Sequence, residues 1–114
     1  MMNLQRSSMV DTTLSNLGLA FRAGAIVTGD QLVKALKQNQ VYYLFIAHDA
    51  SEKTKVRFMK SATSKQIAVN LDYSSTELSS AIGKKQRKVL GLTDARFLKI
   101  LRKKEEQDVT KEEK

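Results

Sequence analysis

Two short clusters in this 114-residue chain have the residue types and spacing to do chemistry. The first is Gly29, Asp30, Gln31 and Lys34, at the start of a helical pattern that continues through Lys37. At about 100° per residue, Leu32, Val33, Ala35 and Leu36 form one arc, and Asp30, Gln31, Lys34, Lys37 and Gln38 form the opposite one. Free backbone N–H groups at a helix start attract phosphate, and Lys34 adds a point charge one turn along. Asp30 and Gln31 offer an acceptor and an amide to base edges. The same residues also fit a plain solvated face, in which Asp30 favours the helix dipole and Gln31 closes a capping box with Thr28. The second cluster is Gly83-Lys84-Lys85-Gln86-Arg87-Lys88, four cations in five residues between a helix end and a strand. It is either a solvated loop or, if the sandwich puts it beside the start of helix two, half of a concave basic edge. Neither Gly29 nor Gly83 belongs to a GxGxxG or Walker-type loop, so the glycines give no support to nucleotide binding.

A third pair, His48 and Asp49, closes an apolar strand and invites an acid–base reading. No nucleophile, metal cluster or second positioned carboxylate stands nearby in sequence, so catalysis is not expected, and Asp49 is read as the cap of the next helix. His48 is the one histidine and cysteine is absent. Disulfides, thiolate metal sites and histidine clusters are thereby excluded, and any Ser-His-Asp triad would have to be built on His48. No metal, cofactor or small-molecule substrate is expected. Tryptophan is absent, and three Tyr and four Phe are too few for a base-stacking platform. Any nucleic acid would be held by shape and phosphate.

The charge points to an anionic partner. Twenty Lys and Arg against twelve Asp and Glu give +8, with a pI near 9.8. Residues 1–104 hold 18 basic and 7 acidic side chains, or +11, whereas 105–114 hold 2 and 5, or −3. A surplus of that size on one small domain signals nucleic acid or an anionic membrane surface. No segment combines a basic helix with bulky apolar anchors, and no run approaches the roughly 20 apolar residues of a membrane span. No membrane association, a cytoplasmic location and a monomer are expected.

These clusters must be positioned by one domain, since the length suits a single core. Residues 1–10 read as a flexible N-terminus, 11–104 as the domain and 105–114 as a charged, solvated tail. Leu14, Leu17, Gly18 and Phe21 mark helix one from Asp11, stopped at Gly24. Ala25 to Val27 is a short strand, and helix two runs from Thr28 to about Asn39. Val41 to Ala47 reads as a central buried strand. Helix three follows Ser51 with Val56, Met59 and Ala62 inward, and Ile67 to Leu71 is a strand. Ser74 and Glu77 form a capping box for helix four, Val89 to Leu92 is the fourth strand, and a last helix spans Asp94 to about Lys104. Strands alternating with helices predict a three-layer α/β/α sandwich around a mostly parallel or mixed four-stranded sheet.

The segments Gly18 to Gly24, Thr28 to Ala35, Ile46 to Ser51 and Glu77 to Lys84, with Arg87, together resemble the ribosomal L-seven-Ae / L-thirty-e family. The resemblance covers about residues 11–104 in one order and spacing, and looks strongest toward the bacterial YlxQ-type members. It implies an α/β/α domain that binds kink-turn or related structured RNA on the ribosome without catalysis. The family's Gly-Asn-Glu-x-x-Lys motif falls on Gly29, Asp30, Gln31 and Lys34, with Asp where Asn is usual and Gln where Glu is usual. Lys84 and Lys85 stand where kink-turn binders typically carry apolar residues, and Ser79 replaces a common glycine. The RNA-binding set is thus Gly29, Asp30, Gln31, Lys34, Lys37, Gly83, Lys84, Lys85 and Arg87. The rival reading is a protein-interaction adaptor whose same basic face meets an acidic partner protein.

Overall fold

The computed structural model describes the backbone of residues 2–101 and the side chains of 12–101. Five helices and four strands follow in the order α1 (Met2–Arg22), β1 (Ile26–Thr28), α2 (Gly29–Lys37), β2 (Tyr43–Ile46), α3 (Glu52–Lys65), β3 (Ala68–Asn70), α4 (Ser75–Ile82), β4 (Val89–Leu92) and α5 (Leu98–Leu101). A single 3₁₀ turn, Ala95–Phe97, precedes α5. Helix α1 begins at Met2 rather than Asp11, since no glycine or proline interrupts the chain before Gly18. The tail expected at 105–114 lies outside the described residues.

The sheet order is β1-β4-β2-β3. The two central strands, β2 and β4, are buried at every position, as their unbroken apolar runs require. Tyr43 and Phe45 alternate onto one face and meet edge to face, with ring centroids 5.2 Å apart. Helices α1, α4 and α5 pack together on one side, and α2 and α3 cover the other. Gly18 allows the close approach of α1 to α4, because a Cβ there would stand 2.6 Å from the Ala81 carbonyl oxygen.

Of the two expected arrangements, mostly parallel or mixed, the sheet takes the mixed one. β2 and β3 are parallel, but β4 runs antiparallel to both β2 and β1. The cause lies in α4. Its first residue, Ser75, is bonded to Asp49 just past the end of β2, and its middle residue, Ser79, holds Arg87 just before β4. Both ends of the connection therefore stay at the end of the sheet where β2 finishes, and β4 enters against β2, with Ala47 N–H donating to the Lys88 carbonyl.

Two expectations change. On α3 the buried residues are Phe58 and Ala62, with Met59 partly covered, while Val56 is 49% exposed. Val56 lies two residues, about 200°, from Phe58 around the helix and cannot share its face. The cap of α3 is Ser51, whose hydroxyl accepts from the Thr54 amide at 3.1 Å. Asp49 serves α4 instead.

Candidate nucleic-acid interface

Helix α2 starts from a glycine turn. Thr28 is extended and Gly29 takes a left-handed φ of +61°, which a residue with a Cβ adopts at a cost. This turn carries the Thr28 hydroxyl away from the helix, and it makes no capping bond. The capping box expected between Thr28 and Gln31 is therefore not formed. Asp30, Gln31 and Lys34 are exposed, and their side chains are free of hydrogen-bond or ion-pair partners among the described residues.

The 83–88 loop is built differently. Gly83 ends α4 in a left-handed cap, and Gln86 adopts a left-handed φ of +55°. For a residue with a side chain that conformation costs about 1–2 kcal/mol. Ser79 holds the strained segment in place from the helix behind it. Its buried hydroxyl accepts from the Arg87 amide at 2.8 Å and donates to the Arg87 carbonyl at 3.1 Å. Arg87 is half-buried: Nη1 donates to the Lys85 carbonyl at 3.2 Å, and Nε is buried without a partner among the described residues. Lys84, Lys85 and Lys88 are exposed.

Register brings these two parts together. Thr28 pairs with Leu90 across the β1–β4 ladder, so Gly29 stands one step along, beside Val89, where the 83–88 loop enters the sheet. Phe21 links them from below. Lys84 Nζ lies 5.8 Å from its ring centroid, and Phe21 also lines, with Val27, Gln31, Lys34 and Gln38, the cleft between α2 and the β1 edge. Gly29, Asp30, Gln31, Lys34, Gly83, Lys84, Lys85 and Arg87 thus share one end of the molecule. Lys37 does not. It ends α2 and lines a separate groove with Arg57, Phe58 and Lys65 of α3.

The sequence did not single out Phe21 or Ser79 as parts of this region. Phe21 falls in the apolar stripe of α1, and Ser79 is buried inside a helix where its neighbours are apolar. A serine at a core position of a capped helix, eight residues before a loop residue, was the available signal. Asp49 is committed as well: the Ser75 amide and hydroxyl bond its carboxylate at 2.9 and 3.1 Å, and these bonds, the amide first, hold its pKa below the ordinary 3.8. No group of three or more His, Asp or Glu that could hold a metal occurs among the described residues.

No protein-family model matches the chain. The RNA-binding protein YlxQ of Enterococcus faecium is 36% identical over 84 residues, covering 73% of this chain and 81% of that protein. A solved structure of a Bacillus halodurans protein of unknown function is 40% identical, covers 78% of this chain and 91% of its own, and superposes with a TM-score of 0.73. The Giardia lamblia 15.5kD RNA binding protein shares the fold at 15% identity, with a TM-score of 0.68 over 79% of this chain and 78% of its own.

Proposed function

This chain belongs to the family of the RNA-binding protein YlxQ, and from that premise we propose that it binds structured RNA without catalysing a reaction. The observation that carries the reading is the junction of the α2 start and the 83–88 loop. There, exposed cations without ion-pair partners among the described residues flank the unpartnered Asp30 and Gln31. Lys34, Lys84 and Lys85 supply phosphate contacts, while Asp30 and Gln31 read base edges. The RNA is a kink-turn or a close relative, and the protein works in the cytoplasm on or beside the ribosome. That the relative YlxQ is named an RNA-binding protein supports a non-enzymatic role. Among the described residues no helix is long and apolar enough to cross a membrane.

The test is a titration of wild type, Lys34→Ala and the double variant Asp30→Asn/Gln31→Glu against a kink-turn hairpin and an unkinked duplex of equal length. Lys34→Ala weakens both RNAs alike, because a lysine–phosphate contact carries no sequence information. The double variant restores the family's order of amide then carboxylate. It raises the kink-turn preference by about tenfold, the scale of one bidentate base contact at about 1–3 kcal/mol. An unchanged ratio would mean that these two side chains do not face bases.

A further inference from the structure

The groove that takes Lys37 away from the first surface belongs to a second one. Helix α3 carries Lys53, Lys55, Arg57, Lys60 and Lys65 against a single acid, Glu52. Lys53, Arg57 and Lys60 are exposed and follow at intervals of four and three residues, so they form one stripe with steps of about 6 and 4.5 Å along the axis. Beside it, Lys37, Arg57 and Lys65 rim a groove floored by Val33, Leu36 and Phe58 and lined by no acid. Arg57 is stacked over the Phe58 ring at 5.1 Å, and Lys65 Nζ is held by Asn39 Oδ1 at 2.8 Å. None of these cations is neutralised: among the described residues only Arg96 is ion-paired, with Asp94.

We propose that this face, α3 with the last turn of α2, is a second RNA-contacting surface that holds the phosphates of a duplex arm extending from the RNA seated at the start of α2. The inference rests on the RNA-binding reading above. Helix α2 is the ridge between the two surfaces. Gln31, Lys34 and Gln38 line its β1 side, and Val33 and Lys37 line its α3 side. A helix is about 10–12 Å across, so one RNA reaches both flanks. The chemistry favours a polynucleotide over a protein. Protein interfaces are depleted in lysine, whereas this face sets Lys37, Lys53, Lys60 and Lys65 around the exposed Val56 and a short apolar floor of Val33, Leu36 and Phe58. A phosphate backbone needs only the charge.

Two fluorescent RNAs test it: a kink-turn hairpin, and the same hairpin with its stem extended by about 16 base pairs, the length a double-strand RNA-binding module spans. Wild type is compared with Lys53→Gln/Arg57→Gln/Lys60→Gln and with Lys84→Gln/Lys85→Gln. Glutamine keeps helix propensity, and thermal melts check that each variant folds. Wild type binds the extended RNA more tightly. The α3 variant binds the short hairpin as wild type does. On the extended RNA it loses about tenfold, and its salt slope there is shallower by roughly 2–3, the counterions of three phosphates. If the α3 variant matches wild type on both RNAs while the loop variant is weakened, the second surface is refuted and the RNA reading stands. If wild type binds neither RNA, that reading falls and this inference with it. If the variant loses binding to poly-glutamate but not to extended RNA, the face belongs to an acidic protein instead.

Discussion

The buried hydroxyl of Ser79 accepts from the Arg87 amide and donates to its carbonyl, so Ser79→Ala leaves two backbone groups without their partner. An orphaned buried donor costs about 1–3 kcal/mol. At about 4–8 °C per kcal/mol for a domain of this size, a clear fall in melting temperature is expected. The same bonds restrain the loop just after the left-handed Gln86, so their loss also frees Lys84 and Lys85 and weakens RNA binding. Ser80→Ala, one residue on and exposed, is the matched control and changes neither measurement. A destabilised Ser79→Ala that binds RNA as tightly as wild type would show that the loop's shape is not what the RNA reads. Most residues of the candidate site were legible in the sequence because cations and glycines announce themselves by type. Ser79 was not, because its role depends on a loop eight residues away folding back over it.

At the scale of elements, local chemistry was the readable part and strand direction was not. The Ser74–Glu77 capping box forms as the spacing predicts: the Ser74 hydroxyl accepts at 3.1 Å, and Glu77 receives the Ser74 amide at 2.8 Å. The identical spacing at Thr28 and Gln31 fails because Gly29 turns the chain first. No pattern within β4 states that it runs against β2. That follows from α4 beginning and ending beyond the same end of β2, where Asp49 pins its first turn through Ser75. The stitch has a pH signature. Its bonds stabilise the ionised carboxylate, so the folded pKa lies below 3.8 and the unfolded one near it. The contribution is complete above the unfolded value and is lost as pH falls through the folded one. Asp49→Asn is accordingly less stable than wild type near pH 7, and the gap closes as pH falls below the ordinary carboxylate range. Asp94, whose pairing with Arg96 lowers its pKa to about 2, is present in both proteins and cancels in the difference. Thermal melts across that range check the prediction, and a gap of constant size would mean that Asp49 acts by packing alone.

For the whole molecule, the relevant quantity is how its positive charge is distributed. Two basic surfaces flank α2, and among the described residues a single ion pair neutralises cationic charge, at Arg96 on neither surface. Charge left free by the fold is charge available to phosphate, and each phosphate contact releases condensed counterions. If the surface at the start of α2 meets about four to six phosphates, log K for the kink-turn hairpin falls with log salt at a slope of roughly −3 to −5. Base-edge contacts by Asp30 and Gln31 contribute to affinity but not to the slope, since they displace no ions. The Asp30→Asn/Gln31→Glu variant therefore shifts the line without tilting it, whereas Lys84→Gln/Lys85→Gln makes it shallower. Fluorescence titrations of the hairpin between about 50 and 200 mM salt separate the two behaviours, because over that range several phosphate contacts change affinity by orders of magnitude. A flat line for wild type would mean that the free cations of this fold do not face phosphate, and the RNA reading would fail with it.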